Sequence, residues 1–253
     1  MNDVLEIVIP MAGRGSRFAD AGYADPKPLI RMPDGRRMIE LVVDNLKPVR
    51  PHRFTFVVRA EHRAGGRLDA ALRAVAGDCR VLEVPEVTQG AAETVSLALV
   101  DLPEGSPLMI ANCDQYVDLR IDDYLAAGDG RSADGYMMTM TADDPKWSFA
   151  ATDDDGWVTR VVEKEVISTS ATVGIYNFAS TRDFLEGYRA MVAADRRTNG
   201  EYYVAPVYNE LITAGRRFHL VDVARLGGTM HGIGTPADLD AFVAWSAATG
   251  APA

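Results

Sequence analysis

The stretch that decides the fold is Ile7-Val8-Ile9-Pro10-Met11-Ala12-Gly13-Arg14-Gly15-Ser16-Arg17-Phe18. It begins with a short apolar run rich in β-branched residues, which predicts a strand over residues 6–10. The strand runs directly into a loop that holds two glycines and two arginines. Open α/β sheets bind ligands at the carboxyl ends of their strands. Glycines there let backbone N–H groups approach an anion, and arginines donate to its oxygens, so the stretch predicts an anion site after a central strand.

The loop alone does not identify the anion. Its spacing is neither GxGxxG nor GxxxxGK[ST], and a glycine turn with solvated arginines would explain it equally well. A second segment, Pro26-Lys27-Pro28-Leu29-Ile30, favours the anion site over a simple glycine turn. Its two prolines restrict the backbone around one lysine and disfavour a helix. Arg14, Arg17 and Lys27 together would form a concentrated positive site.

The composition is that of a globular protein with an acidic surface. The chain has 253 residues, of which 47% are apolar and 25% charged, which argues against disorder or a fibrous repeat. Its 26 Lys and Arg against 36 Asp and Glu give a net charge of −10, which argues against nonspecific nucleic-acid binding. Cys79 and Cys113 show no metal or disulfide spacing, and no apolar run approaches the roughly 18 residues of a membrane span. We therefore expect a cytoplasmic protein with no nucleic-acid partner and no membrane insertion.

Strands and helices alternate along the first half of the chain. The apolar patterns predict, in order, strand 6–10, helix 37–46, strand 54–59, helix 67–75, strand 80–84, helix 91–100 and strand 107–112. Such alternation is typical of βαβ units around a mostly parallel sheet. The last strand lacks polar alternation, which suits a strand buried on both faces.

The pattern changes after Asp114. Strands with little helix between them are predicted at 135–141, 149–152, 157–162 and 172–178. The turn Asp153-Asp154-Asp155-Gly156 predicts a hairpin between two of them. Helices are then expected after Ser180, from Tyr202 to Gly215 and after Thr235. The fold class is α/β: a Rossmann-like, mostly parallel sheet flanked by helices, with an inserted antiparallel β portion, in one domain over residues 1–253.

The Gly-rich loop and the Lys-Pro-Leu segment, in this order and at this separation, resemble the opening of the sugar-1-phosphate nucleotidyltransferases. The variants Pro10-Met11-Ala12-Gly13 and Asn112-Cys113-Asp114-Gln115 are similar to those of small capsule and surface-polysaccharide members. Some of those members carry a family 2 glycosyltransferase-like label, because the nucleotide-binding folds are related. The resemblance covers nearly the whole chain and implies a nucleotidyltransferase or GT-A-like fold. Residues 1–134 would bind the nucleotide and residues 135–253 the acceptor.

The resemblance also implies a role for each residue that matches a family motif. The loop backbone would hold the triphosphate, with Arg17 and Lys27 as catalytic residues that stabilise charge near the α-phosphate. Asp114 matches the family's metal-binding aspartate, and the expected cofactor is Mg²⁺. Residues implied in nucleotide binding are Met11, Ala12, Gly13, Arg14, Gly15, Ser16, Gln89, Gly90, Ala91 and Asn112. Residues implied in acceptor binding are Glu163, Lys164, Gly174 and Glu201, of which Lys164 would also be catalytic.

Two positions depart from the family pattern. The pyrimidine-reading Gln of relatives has no match, because Pro85 stands five residues before Gly90, and the base is left open. Gly232 stands where many relatives have a second metal-binding aspartate, just before Ile233-Gly234-Thr235-Pro236. Either Asp114 and the phosphates hold the metal with water, or another acid such as Asp222 substitutes, or the activity differs.

The function that the resemblance implies is transfer of a nucleoside monophosphate from a nucleoside triphosphate to a phosphorylated acceptor, first of all a sugar 1-phosphate. The products would be an NDP-sugar for surface-polysaccharide biosynthesis and pyrophosphate, and the enzyme could act as a homo-oligomer. One alternative is a cytidylyltransferase for a phosphocholine-like or phosphonate acceptor. A second is a family 2-like glycosyltransferase, although its usual Asp-x-Asp is absent around Asp114. A third is an inactive nucleotide sensor.

Overall fold

The computed structural model describes residues 4–252. The strands are β1 Leu5–Met11, β2 His52–Arg59, β3 Arg80–Val84, β4 Leu108–Ala111, β5 Gln115–Val117, β6 Gly135–Thr141, β7 Ser148–Thr152, β8 Val158–Glu163, β9 Ser170–Phe178, β10 Phe218–Asp222 and β11 Met230–Gly232. The helices are α1 Ser16–Asp20, α2 Met38–Asn45, α3 Arg67–Ala76, α4 Ala91–Leu99, α5 Ile121–Asp129, α6 Thr181–Ala193, α7 Val207–Thr213 and α8 Pro236–Thr249. None of the helices in this part of the chain is long and apolar enough to span a membrane.

Nine of these strands form one mixed sheet in the order β10-β6-β9-β4-β1-β2-β3, with the β7–β8 hairpin attached to β9. β1 pairs in parallel with β2 on one side and with β4 on the other, and β2 pairs in parallel with β3. β9 runs antiparallel to both β4 and β6. The α/β fold with a parallel part and an antiparallel insertion, predicted from the sequence, is confirmed.

The side chains of β1 alternate between two buried layers. Ile7 and Ile9 face the layer formed with α2, α3, α5 and α8, whereas Val8 faces the layer formed with α4, α6 and α7. All three side chains are fully buried. Because helices cover both faces of this strand, its sequence is apolar without a polar alternation. β1 is the central strand of the parallel part of the sheet. Because it is buried on both faces and paired on both sides, the position of its carboxyl end is fixed.

The local signals at three turns and helix starts are confirmed. The backbone N–H of Asp183 donates to Ser180 Oγ at 3.1 Å, and that of Asp238 donates to Thr235 Oγ1 at 3.1 Å. Both hydroxyls therefore cap the helices that follow them. The hairpin between β7 and β8 contains Gly156 at φ +77°, a backbone conformation that favours glycine.

Other elements differ from the sequence prediction. Helix α5 was not predicted, yet its Tyr124 and Leu125 are buried under the sheet. The predicted helix from Tyr202 begins only at Val207, because the backbone N–H and carbonyl of Tyr202 form hydrogen bonds with Gln89 and Ala92 instead. Residues Lys27–Leu29 form a short 3₁₀ turn. Pro28 is compatible with this turn because backbone N–H groups at the start of a helical turn have no partner within it, so the N–H that proline lacks is not needed.

Tyr208 of α7 ties that helix to the antiparallel strands. Its ring stacks on Phe178 with centroids 4.4 Å apart, and its hydroxyl donates to the carbonyl oxygen of Asn177 at 3.0 Å. Tyr208→Phe is expected to lower the free energy of unfolding by about 1 kcal/mol through the lost hydrogen bond. Tyr208→Ala is expected to lower it by about 3–5 kcal/mol, because it also leaves a cavity. Urea denaturation measures the free energy of unfolding of both variants, and Tyr23→Phe at an exposed tyrosine is the control. Equal losses of stability in the two Tyr208 variants would contradict this account.

Candidate active site

The carboxyl ends of β1, β2 and β4 lie side by side at one edge of the sheet, because these strands are parallel neighbours. The Gly-rich loop, residues 12–18, follows β1 at this edge, and the segment 112–114 follows β4. Two stretches that are about a hundred residues apart in the sequence are therefore brought together.

Three adjoining clefts open at this edge. The first, of about 520 Å³, lies between the Gly-rich loop, residues 23–28 and residues 59–62. The second, of about 740 Å³, lies between the Gly-rich loop and residues 87–94. The third, of about 340 Å³, lies between Asp114, residues 146–148 and residues 163–164. They adjoin because they share lining residues, and Ala91 lines all three.

Every site residue predicted from the sequence lines at least one of these clefts. Met11, Gly13, Arg14, Gly15 and Asn112 line the first. Ala12, Ser16, Gln89, Gly90 and Glu201 line the second. Glu163, Lys164 and Gly174 line the third. The remaining four mark the junctions: Ala91 lines all three clefts, Lys27 the first and second, Arg17 the second and third, and Asp114 the first and third.

Lys27 and Asp114 form an ion pair at the centre of the three clefts. The Lys27 ammonium contacts Asp114 Oδ2, and the two side chains are 16% and 31% exposed. Burial opposes the charge on Lys27, but the Asp114 carboxylate outweighs it, so the pKa of Lys27 is raised above its ordinary value. The pKa of the neighbouring Cys113 thiol is raised to about 11 by burial. At neutral pH Lys27 is therefore charged and Cys113 is a neutral thiol.

The two arginines of the Gly-rich loop are exposed and have no partner among residues 4–252. Neither the Arg14 nor the Arg17 guanidinium takes part in an ion pair or a side-chain hydrogen bond within that part of the chain. An arginine without a carboxylate partner is available for an anionic ligand, and its planar fork suits phosphate oxygens. Within a protein of net charge −10, this loop is a local positive patch.

Gly90, where the second cleft meets the antiparallel part of the fold, lies against the backbone of Tyr202. The Tyr202 N–H donates to the Gln89 carbonyl at 2.8 Å, and the Ala92 N–H donates to the Tyr202 carbonyl at 3.0 Å. A Cβ on Gly90 would lie 2.4 Å from that carbonyl oxygen, and Gly90 has φ +135°. Only glycine fits here, so the loop before α4 is fixed by a segment of the second half of the chain.

The Gln89 side chain is engaged by other protein groups. Its Oε1 accepts a hydrogen bond from Arg197 Nη2 at 2.8 Å, and its backbone N–H donates to the Glu93 carboxylate. The hydroxyl of Thr88 is 2.6 Å from that of Thr94. The side-chain polar groups of this loop therefore orient one another.

The third cleft combines a partly buried carboxylate with a charged amine. Glu163 accepts a hydrogen bond from the Ser148 hydroxyl, and burial raises the pKa of Glu163 above its ordinary value despite that bond. Lys164 Nζ donates to the Tyr203 hydroxyl at 2.8 Å, and this bond raises the pKa of Lys164. Lys164 also has φ +59°, which is uncommon for a residue other than glycine.

Gly174 lies at the back of the third cleft. Its φ is +80°, and a Cβ there would stand 2.3 Å from Asn112 Nδ2 and 2.5 Å from Gln115 Oε1. Its carbonyl accepts the backbone N–H of Asn112 at 2.9 Å. The glycine is required because side chains next to Asp114 pack directly on it. Gly174 is therefore in close contact with the residues that flank Asp114.

Comparisons with known proteins agree with this geometry. Residues 7–151 match the family model of the MobA-like NTP transferase domain. The chain belongs to this family and is a nucleotidyltransferase. No significant match was found among curated proteins.

Three solved structures resemble this NTP transferase. The nucleoside-diphosphate-sugar pyrophosphorylase from Vibrio cholerae RC9 is 29% identical, with 94% of this chain and 99% of that chain covered and a TM-score of 0.78. The inositol-1-phosphate CTP transferase from T. maritima is 16% identical, with 96% and 94% covered and a TM-score of 0.75. The UDP-glucose pyrophosphorylase from Acinetobacter baumanii is 14% identical, with 96% and 93% covered and a TM-score of 0.72. The similarity to the last two structures shows a shared fold.

The acid that lies next to Gly232 in this NTP transferase is Asp238. Asp238 Cγ is 3.9 Å from the place a Cβ on Gly232 would occupy, and both residues line the third cleft. Asp222, the substitute considered from the sequence, instead accepts the backbone N–H of Ala224 and is absent from the lining of the three clefts. Asp238 was missed because it looks like an ordinary first-turn acid of α8.

Sequence reasoning also missed three other residues of the third cleft. A Cβ on Gly234 would lie 2.6 Å from Asp114 Oδ2, so the chain before α8 passes directly over that carboxylate. Trp147 and Lys146 stand at the opening, with the Lys146 ammonium 5.0 Å from the Trp147 ring centroid. The Gly-x-Gly spacing of Gly232 and Gly234 was a sequence signal for Gly234. Lys146 and Trp147 precede an ordinary strand and belong to no motif.

Gly90→Ala is expected to lower the midpoint of thermal unfolding by several degrees and to weaken nucleotide binding. The added Cβ would collide with the Tyr202 backbone, which cannot move without breaking two backbone hydrogen bonds. Gly105→Ala is the control, because nothing lies within 4 Å of a Cβ there. Differential scanning fluorimetry with and without a nucleoside triphosphate measures both effects, and a Gly90→Ala protein that unfolds like the control would refute the close contact.

Proposed function

We propose that this nucleotidyltransferase transfers a nucleoside monophosphate from a nucleoside triphosphate to a sugar 1-phosphate and releases pyrophosphate. The products would be an NDP-sugar, a donor for later glycosyl transfer such as surface-polysaccharide synthesis, and pyrophosphate. Support comes from the family and from the similarity to a nucleoside-diphosphate-sugar pyrophosphorylase at 29% identity. The family favours nucleotidyl transfer over the glycosyltransferase alternative.

The observation that carries the proposal is the junction of the clefts at Arg17, Lys27 and Asp114. Arg17 lines both the second and the third cleft, so one guanidinium is within reach of ligands in both. A triphosphate on the Gly-rich loop and an acceptor phosphate in the third cleft would meet there. Two anions repel each other, and a site that joins them needs fixed positive charge at their meeting point.

The proposed reaction needs no protein nucleophile. An oxygen of the acceptor phosphate attacks the α-phosphorus, a new P–O bond forms, and the bond from that phosphorus to the bridging oxygen of pyrophosphate breaks in line. A phosphate monoester has a second pKa near 6, so at neutral pH it is mostly a dianion and needs no strong general base. Arg17 and Lys27 would stabilise the negative charge that gathers on the α-phosphate and the leaving group, and Lys164 would hold the acceptor phosphate.

Mg²⁺ is the proposed cofactor, with Asp114 as its protein ligand. Within residues 4–252 no cluster of three or more His, Cys, Asp or Glu side chains could hold a metal. Mg²⁺ commonly takes one or two carboxylates and completes its shell with phosphates and water, so a single cleft-facing aspartate fits it. Asp114 already accommodates the cationic Lys27 side chain. The ion would supply further charge neutralisation on the triphosphate.

A sugar is favoured over a choline-like acceptor by the aromatic residues of the third cleft. A quaternary ammonium group is recognised by open aromatic faces. The two aromatic rings at the opening of this cleft already have protein cations near them: Lys164 is 4.9 Å from the Tyr203 centroid and Lys146 is 5.0 Å from that of Trp147. The partly buried carboxylate of Glu163 remains to accept hydrogen bonds from hydroxyl groups.

Arg17→Gln is expected to lower kcat by about 100-fold or more, by analogy with the loss of a single charge-stabilising donor. The measurement is pyrophosphate release with Mg²⁺, a panel of nucleoside triphosphates and a panel of sugar 1-phosphates. Arg189→Gln is the matched control, because Arg189 is exposed on α6 and does not line the three clefts. Normal turnover by Arg17→Gln would exclude the proposed role of Arg17, and no release with any substrate pair would refute the proposed reaction. Removal of Mg²⁺ with EDTA should abolish release.

The affinity for the acceptor should depend on pH through Glu163. Because burial raises the pKa of Glu163, this carboxylate takes up a proton at a higher pH than an exposed glutamate does. The KM for the acceptor should therefore rise as the pH falls from about 8 to about 5, since the protonated group loses its negative charge. Glu163→Gln should show a high KM that changes less over the same range. Protonation of the acceptor phosphate affects both proteins alike, so identical pH profiles would contradict this role.

A further inference from the structure

Arg197, in the segment that follows α6, joins the two halves of the chain beside the second cleft. Each of its three guanidinium nitrogens donates one hydrogen bond: Nε to Asp195 Oδ1 at 2.7 Å, Nη1 to the Gly200 carbonyl at 3.3 Å and Nη2 to Gln89 Oε1 at 2.8 Å. The guanidinium also lies over the Tyr202 ring, 4.1 Å from its centroid. The reaction described above gives Arg197 no role. Exposed ion pairs add little to stability, so the pairing with Asp195 does not by itself explain this arrangement.

Arg197 determines the orientation of the Gln89 amide. Arginine can only donate hydrogen bonds, so the atom of that amide which faces Arg197 is its oxygen. The amide nitrogen faces Glu93, 3.4 Å from Oε1 of that carboxylate. An amide nitrogen carries two hydrogens. Gln89 therefore keeps one N–H that no group of residues 4–252 accepts.

That remaining N–H belongs to a residue of the second cleft. Gln89 lines this cleft, and the Gly-rich loop forms the opposite wall. The backbone of Gln89 is fixed, because its carbonyl accepts the Tyr202 N–H at 2.8 Å and its own N–H donates to Glu93. A nucleotide whose phosphates lie along the Gly-rich loop would enter this cleft. The amide N–H is the donor that Gln89 has left for it.

The other side of Arg197 holds a tight turn that carries Glu201. Thr198 and Glu201 exchange two backbone hydrogen bonds of 3.0 Å, and Asn199 and Gly200 between them have φ +51° and +82°. This is the geometry of a two-residue hairpin turn, for which Asn-Gly is a favoured sequence. Gly200 and Glu201 both line the second cleft. Arg197 therefore connects a wall of this cleft that comes from the second half of the chain to the loop before α4.

We propose that Arg197 is a positioning residue for the nucleotide: it holds the amide oxygen of Gln89, so that an amide N–H of Gln89 is directed to a nucleoside in the second cleft. Arg197 acts through Gln89 and makes no contact with the ligand itself. The ligand is a nucleoside triphosphate whose nucleoside offers an acceptor to that N–H. The inference rests on the proposed function and adds a residue on which its nucleotide affinity depends.

The test is a double-mutant cycle on nucleotide affinity, measured by isothermal calorimetry with Mg²⁺. The wild type is titrated with CTP, UTP, GTP, dTTP and ATP, and the variants with the tightest of these and with inorganic tripolyphosphate. Arg197→Met should weaken nucleotide binding about 3- to 10-fold, the effect of one misplaced hydrogen bond, and Gln89→Ala should weaken it at least as much. The double variant should bind no more weakly than Gln89→Ala, because Arg197 acts through Gln89. Tripolyphosphate has no nucleoside, so its affinity should stay within about twofold throughout.

Two further variants separate positioning from folding. Arg196→Met is the matched control, because Arg196 pairs with Glu210 at 2.7 Å outside the three clefts, and it should bind the nucleotide like the wild type. Arg197→Met should lower the midpoint of thermal unfolding by no more than a few degrees, since its contacts are at the surface. If it does not fold, Arg197→Lys replaces it in the cycle, because lysine keeps the charge but lacks the planar fork.

Three results would overturn the inference. The first is an Arg197 variant that binds the nucleotide as tightly as the wild type does. The second is an additive cycle, in which the Arg197 substitution weakens binding equally with and without Gln89. The third is a loss of tripolyphosphate affinity as large as the loss of nucleotide affinity, because it would show a general disturbance of the site. A wild-type protein that binds none of the five nucleotides would instead refute the proposed function itself.

Discussion

The candidate active site depends on the pairing of one buried strand with parallel neighbours on both sides. β1 is in register with β2 through all seven of its residues, from Leu5 to Met11, and with β4 through Glu6 to Val8. Parallel neighbours end at the same edge, so the Gly-rich loop, Arg59 and Asp114 emerge there together. Because both faces of β1 are covered by helices, the strand cannot slide or turn over without exposing apolar side chains. The positions of these groups therefore follow from the core of the protein.

The antiparallel half of the chain completes this edge through two contacts that only glycine allows. Gly90 lies against the Tyr202 backbone, and Gly174 lies against the side chains of Asn112 and Gln115. Each contact joins a residue that precedes position 134 to one that follows it. A change at either contact in one half of the chain would therefore act directly on the other half.

The charge distribution explains how an acidic protein can serve anionic substrates. The chain carries a net charge of −10, but the three clefts are lined by six basic side chains: Arg14, Arg17, Lys27, Arg59, Lys146 and Lys164. Of these, Lys27, Arg59 and Lys146 form ion pairs with carboxylates, whereas Arg14, Arg17 and Lys164 form none within the part of the chain that the structure describes. The loop arginines are therefore available to an anionic ligand.

The sequence by itself determined the alternation of strands and helices from β1 to β4, apart from the short helix α1, together with the Gly-rich loop and the residues of the clefts that belong to short motifs. These follow from local patterns, such as the apolar run of β1 and the prolines around Lys27. It did not determine helix α5, the backbone hydrogen bonds of Tyr202 to Gln89 and Ala92, or the place of Asp238 in the lining of the third cleft. Asp238 reads locally as a helix-start acid. Only the tertiary structure decided their places, because each depends on a partner far away in the sequence, and sequence patterns report neighbours along the chain rather than neighbours in space.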